Sequence, residues 1–236
     1  MSEWKAKRFW KEASVVGDDA GFAVALDGRL VKTPAKRTLA VPTHGLATEI
    51  AREWDAQEDK INPAVMPFTR MANAAIDKVS VQHAEVAQML AAYGDSDLLC
   101  YRAQTPAELV SRQSDIWDPV LEWATETLGT KLDARIGVIH IRQRPEVLEE
   151  LSGLVHNLSA FELAAFHDLV SLTGSLILGL ASTHNAKTAA EIWEISRLDE
   201  IWQSEQWGKD DEAEAMAEIK KQAFLHAKCF FDLCKG

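Results

Sequence analysis

Acidic and imidazole side chains are the groups in this sequence whose spacing could do chemistry. Asp95 and Asp97, in the run Tyr93-Gly94-Asp95-Ser96-Asp97-Leu98-Leu99-Cys100-Tyr101-Arg102, stand two residues apart as calcium-loop ligands do. The glycine and the later glutamate that such a loop needs are absent. Asp95 as a helix cap, with Arg102 satisfying one carboxylate, is the simpler expectation. Cys100 lies inside an apolar run, where a small core residue is expected rather than a nucleophile. His167, Asp168 and Ser171 supply the residue types of a hydrolytic triad. Residues one apart on a helix diverge, however, and no glycine loop stands nearby to make an oxyanion hole. The GxGxxG, GxxxxGK, HExxH and GxSxG patterns are all missing, and with them the common nucleotide, zinc and acyl-transfer signatures. No cofactor and no metal are expected.

A different kind of surface is suggested by residues 191–216, where three of the eight tryptophans and nine carboxylates share one amphipathic stretch. Ile195, Leu198 and Trp202 follow the three-then-four spacing of one helical face, and the next position on that face is Glu205. Two roles fit a carboxylate in an apolar seam. It can sit at the edge of the stripe and reach water or a Lys/Arg partner, or its face can meet another protein. Trp193, Trp202 and Trp207 set among acids have the composition of an interface, aromatic at the centre and charged at the rim, and equally that of a tryptophan core.

The elements that must position these groups fall into two parts. From Arg8 to Val41 the period is near two, and turn signals recur at Gly17-Asp18-Asp19, Asp27-Gly28 and Pro34-Ala35-Lys36-Arg37, which predicts an antiparallel meander. Asp27-Gly28 suits the positive φ angles of a tight hairpin. Thr43 is expected to cap a helix carrying Leu46, Ala47, Ile50, Ala51 and Trp54. Residues 61–67, with Pro63 and Pro67, read as an extended connector and place the domain boundary there: a β-rich part with one helix over residues 1–61, a helical part over 62–236. Beyond it the spacing predicts a helix over 69–93 ended by Gly94, a capping box at Thr105-Pro106-Ala107-Glu108, and a restart at Asp118-Pro119. Residues 131–143 could hold a short strand. Pro145 opens a further helix. A second capping box at Ser159 to Glu162 starts a central helix that includes Gly174 and Gly179. Asn185 begins the tryptophan-rich helix, Gly208 ends it, and Asp210 or Asp211 caps a last helix with Ala213, Met216, Ala217, Phe224, Ala227, Phe230 and Phe231 inward. The fold class is α+β.

Composition narrows the function. A chain of 236 residues with 47% hydrophobic content can bury a sizeable core. Its formal charge of −11 repels phosphate backbones and anionic lipid, so nucleic acid is not an expected partner. Three cysteines without a CxxC pair fit a reducing compartment. The first residues show no secretory signal. The apolar run at 169–181 is short of the roughly 20 residues that span a bilayer, so no membrane insertion is expected.

The segments at 26–43 (LDGRLVKTPAKRTLAVPT), 51–57 (AREWDAQ), 93–103 (YGDSDLLCYRA), 117–119 (WDP) and 196–214 (SRLDEIWQSEQWGKDDEAE), in that order, resemble the family of assembly chaperones for the alpha subunit of the F-type ATP synthase. The resemblance implies a β part followed by a larger helical part and no catalytic turnover. It also implies binding of the unassembled alpha subunit through the surface that subunit later presents to its beta neighbour. The family's acidic motif maps onto Glu200 or Glu205, with Asp199, Trp202 and Trp207 beside them. Mitochondrial members carry a transit peptide, so this start fits a bacterial cytoplasmic protein or a processed form in the mitochondrial matrix, expected to be monomeric. The alternative from another class is a helical enzyme using Asp95/Asp97 or His167/Asp168.

Overall fold

In the N-terminal sheet, strand β1 (Ala13–Asp18) pairs antiparallel with β2 (Gly21–Leu26) along its whole length in the computed structural model, which describes residues 7–18 and 21–236. The turn expected at Gly17-Asp18-Asp19 runs into Asp19 and Ala20, outside the described residues. Asp27 and Gly28 adopt φ angles of 46° and 81°, the left-handed pair a two-residue hairpin requires, and return the chain into β3 (Arg29–Leu30). The strands do not form a simple meander. β4 (Ala40–Val41) passes β3 and pairs with the far end of β2, so two short strands share one edge. A bridge between Lys32 and Thr38 folds the Pro34 to Arg37 turn back along that edge.

Contacts divide the chain into two compact units: Met1–His83 with Ser159–Ala165 and Cys229–Gly236, and Ala84–Leu158 with Phe166–Lys228. This is a different boundary from the one expected at Ile61, because hydropathy period records the local conformation of the chain and not which side chains share a core. In the first unit, helix α1 (His44–Asp55) is capped by the Thr43 hydroxyl, which accepts from the Leu46 amide. Leu46, Ala47, Ile50 and Ala51 are buried with Val24, Leu26 and Val41 of the sheet. The connector is not wholly extended, because Pro63–Val65 makes one 3-10 turn whose Ala64 amide donates to the Asn62 side chain. Helix α2 (Pro67–Ala74) follows, and Glu53 of α1 accepts from the Phe68 and Thr69 amides at its start, at 2.6 and 2.7 Å. Burial pushes the Glu53 carboxyl up and these bonds pull it back.

The single helix expected over residues 69–93 is interrupted. A π turn at Ala75–Val79 and a break at Ser80 precede α3 (His83–Ala91). The wide turn lets Asp77 accept from Thr33 Oγ1 at 2.7 Å and the Ala35 amide at 2.9 Å, hydrogen bonds to distant residues that no helical spacing encodes. Gly94 is not a left-handed terminator. It is buried, and a Cβ there would stand 3.0 Å from Leu151 Cδ1 and 3.2 Å from Leu176 Cδ2.

In the second unit, α4 (Ala107–Leu128) starts after a cis Thr105–Pro106 peptide with Pro106, not Thr105, at the cap position and no side-chain cap. It also runs straight through Pro119. Pro119 and Asp115 are both exposed, so water can take the Asp115 carbonyl that proline leaves without a donor. Trp117 on the buried side donates from Nε1 to the Ile195 carbonyl at 3.0 Å. Residues 131–143 supply one short strand, β6 (Arg135–Ile136), parallel to β5 (Tyr101–Arg102). Helix α5 (Pro145–His156) opens on its proline as expected.

The central helix is two. α6 (Ala160–Thr173), with the Ser159/Glu162 box in place, ends at Gly174, whose φ of 69° terminates it, and α7 (Leu176–Thr183) restarts on the Ser175 cap. Gly179 meets the expected close approach, since a Cβ there would lie 2.7 Å from Val170 Cγ2. Asn185 stands in a left-handed turn, and Thr188 with Glu191 caps α8 (Ala189–Ser196). A break at Arg197 separates it from α9 (Leu198–Trp207), so the tryptophan-rich helix is also two. Gly208 ends α9, and Asp210 Oδ1 accepts from the Glu212 and Ala213 amides to cap α10 (Asp211–Lys235). Phe224, Ala227, Phe230 and Phe231 are buried as expected. Ala213 and Met216 are not: the first turns of α10 face solvent.

Candidate functional site

The two clusters singled out for chemistry are both engaged in hydrogen bonds. Asp97, not Asp95, is the cap, accepting from the Leu99 amide at 3.0 Å at the head of the 3-10 turn Leu98–Cys100. Its oxygens also accept from Ser175 Oγ at 2.7 Å and the Ile177 amide at 3.0 Å, and the residue is fully buried. Desolvation outweighs these bonds and pushes the carboxyl up to about 6. Asp95 accepts from the Gln143 amide at 2.7 Å and lies 3.3 Å from His140 Nε2. Arg102 turns away from both, pairing with Asp118 at 2.7 Å and donating to the Leu99 carbonyl at 2.9 Å. Cys100 is buried, its thiol pushed up to about 12 by desolvation, which leaves no thiolate to act as a nucleophile. His167 and Asp168 do touch despite being neighbours, with Nδ1 and Oδ1 3.0 Å apart, and the carboxylate raises the imidazole pKa. Ser171 takes no part in that bond. No cluster of metal-binding side chains and no helix long and apolar enough to cross a membrane occurs among the described residues.

The surface suggested by the tryptophans has a definite shape. α9, the 101–109 segment and the loop after β6 enclose an open groove of about 530 Å³. Trp202, Trp207 and Asp199 of α9, Val138 and Gly137 after β6, and Pro106, Leu109 and Gln113 are among its lining; Glu200 and Glu205 are not. Trp207 is 80% exposed, an unusual cost for the largest side chain. The seam runs as expected through buried Ile195 and Leu198 to half-buried Trp202, although it crosses the break at Arg197.

Each acid of α9 has a partner within its own unit. Asp199 accepts from Gln113 Nε2 at 2.7 Å, and Gln113 in turn accepts from the Ala103 amide. Glu200 pairs with Arg197 at 2.7 Å. Glu205 is exposed and holds Arg112 of α4 by both oxygens, at 2.5 and 3.0 Å, while that guanidinium lies 5.9 Å from the centre of the Trp202 ring. The pairing lowers the Glu205 carboxyl pKa and raises that of Arg112. Arg112 and Gln113, which orient the α9 acids, are invisible to sequence spacing because their partners lie some ninety residues away. Since the Arg112–Glu205 pair is exposed, Glu205→Gln is expected to melt as the wild type does in thermal unfolding. A loss of several degrees would show that the pair is structural.

A second hollow, about 760 Å³ around Arg8 and residues 55–60, is a structural tie. Arg8 spends its guanidinium on the carbonyls of Trp10, Lys11, Asp55 and Gln57 and on the Asp55 carboxylate.

Known proteins share this architecture. The crystal structure of Atp12 from Paracoccus denitrificans is 46% identical and aligns over 98% of this chain and 100% of its own, with a TM-score of 0.95. The Atu1473 protein of Agrobacterium tumefaciens aligns at 39% identity over 97% of this chain and 85% of its own, with a TM-score of 0.89. Among curated proteins, "Protein atp12, mitochondrial" of Schizosaccharomyces pombe is 27% identical over 219 residues, covering 88% of this chain and 75% of that protein. The family model described as ATP12 chaperone protein matches residues 7–125, just over half of the sequence. By that match and by likeness over nearly the whole length, the chain belongs to the ATP12 chaperone family.

Proposed function

We propose that this protein assists assembly of the F-type ATP synthase by binding the unassembled alpha subunit, covering the surface that subunit later gives to its beta neighbour. It does so as a binding protein without cofactor, metal or turnover. The observation that carries the reading is the groove of α9, lined by Trp202, exposed Trp207 and Asp199, with Glu200 and Glu205 on the same helix outside the lining, in a member of the ATP12 chaperone family. An apolar centre with a charged rim is the composition of a protein contact, and an exposed tryptophan is costly unless a partner covers it. Burial of client surface there would hold back aggregation until the proper neighbour displaces the chaperone. The acids act through their existing partners: a client cation competes with Arg112 for Glu205 and with Arg197 for Glu200. The enzyme alternative draws no support from Asp95/Asp97 or His167/Asp168, which lie outside the groove lining and are engaged in local bonds. The bacterial cytoplasm, or the mitochondrial matrix for a processed form, is the compartment where such a client is made or imported.

Co-purification with isolated alpha subunit, run beside isolated beta subunit, tests this directly. Retention of alpha and not beta is expected, unchanged in chelated and nucleotide-free buffer. Equal retention of both, or of neither, would sink the reading, and dependence on metal or nucleotide would overturn its cofactor-free form.

A further inference from the structure

The segment after β6 exposes more aliphatic surface than any fold requirement explains. Ile136 is 73% exposed, Val138 90%, Ile139 80% and Ile141 54%, four large aliphatic side chains within six residues. Contiguous exposed apolar surface of this kind marks a place where a partner sits. Its backbone is open as well. β6 pairs with β5 on one side only, ending with the Gly137 amide on the Arg102 carbonyl at 2.8 Å. Among the described residues, no backbone hydrogen bond engages residues 138–142. An unpaired edge of this sort is a template for another strand. Charge sets the character of what it takes. Although the chain carries −11 overall, the apolar run is bracketed by Arg135 and Arg142. Arg135 Nε is buried without a hydrogen-bond partner, and exposed Arg142 has no carboxylate paired with it among the described residues. The two cations lie seven positions apart, with a bend at Gly137 and Val138 between them.

We propose that the free edge of β6 and residues 137–142 bind an extended apolar segment of the client that carries acidic side chains near its ends, adding it as a third strand beside β5 and β6. Val138 also lines the α9 groove, so the strand site and the tryptophan wall form one continuous surface within the second unit. Backbone hydrogen bonds would hold many apolar sequences, while Arg135 and Arg142 would select a segment with acidic flanks and fix its register. The inference rests on the client-binding reading above.

The test uses the full chain and isolated alpha subunit as the probe. The double variant Val138→Ser/Ile139→Ser and the charge reversal Arg142→Glu change exposed side chains, so both are expected to keep the wild-type circular dichroism and melting temperature. Each is expected to weaken alpha-subunit binding by about tenfold or more. Hydrogen exchange at the amides of residues 138–142 is expected to slow when alpha subunit is added to the wild type. Wild-type binding by both variants, with unprotected amides, overturns the strand site while leaving the client reading intact. A wild-type protein that binds no alpha subunit removes the reading on which the site rests, and the inference with it. Sedimentation supplies the remaining arm: self-association of the wild type that Val138→Ser/Ile139→Ser abolishes, with alpha binding untouched, would assign the edge to a second copy and overturn the proposal.

Discussion

Asp97→Ala is expected to cost roughly 4 kcal/mol or more of folding stability, because three buried donors lose their acceptor together, each worth about 1–3 kcal/mol when left unmade. Those donors are the Leu99 amide, Ser175 Oγ and the Ile177 amide, and through them Asp97 joins the 3-10 turn after α3 to the first turn of α7. Equilibrium urea unfolding measures the loss, and a change below about 1 kcal/mol would show that water replaces the carboxylate. Asp97→Asn keeps the shape but turns an N–H toward donors, so it should be destabilised as well. The same group gives stability a pH dependence. Its carboxyl titrates near 6 in the folded protein against 3.8 as its ordinary value. The folded state therefore holds a proton that the unfolded chain releases. The resulting stabilisation is fully present below about pH 4 and is lost as pH rises through 6, amounting to about 3 kcal/mol at 1.36 kcal/mol per pKa unit. The stability difference between wild type and Asp97→Asn is expected to shrink over that window. A difference that is constant from pH 4 to 7 would mean the carboxylate is ionised throughout.

Trp207→Ala should act in the opposite place, on binding with the fold untouched. With 80% of its surface already in water, the side chain contributes little to stability. A tryptophan at the centre of a protein contact commonly contributes 2 kcal/mol or more, about a thirtyfold loss of affinity when truncated. Binding of isolated alpha subunit to the variant, measured beside its melting temperature, separates the two effects. A lower melting temperature with full binding would make Trp207 a structural residue. If both stay at the wild-type level, the tryptophan wall is not the contact. Charge variants of Glu200 and Glu205 should weaken binding less, because each carboxylate already has an intramolecular cation to return to.

Most of what the sequence determined on its own is local. The Ser159 to Glu162 box, Gly208 and Asp210 complete their hydrogen bonding within about four residues, and the left-handed pair Asp27-Gly28 and the cap bond from the Leu46 amide to Thr43 are as local, so residue type and spacing suffice to place them. The Thr43 hydroxyl also donates to the Leu233 carbonyl, however, and the Asp27 carboxylate accepts from the Lys11 and Glu12 amides. The change from period two to a helical period likewise identified an α+β chain, and the long motifs at 26–43 and 196–214 carried the family. The tertiary structure decided whatever depends on a distant partner. Asp77 bonds to Thr33 and Ala35 and interrupts the helix expected over 69–93, and Gly94 is a glycine because Leu151 and Leu176 crowd it. Pro119 passes unbroken through α4, since its exposed side frees a carbonyl to water while Trp117 and Val120 stay buried on the other. Glu205 found its cation on a helix ninety-three positions away, and Gln113 found Asp199 eighty-six away. Hydropathy placed Met216 inside and gave no reason for residues 136–141 to lie outside, because spacing records which side chains share a face and not whether another element covers it.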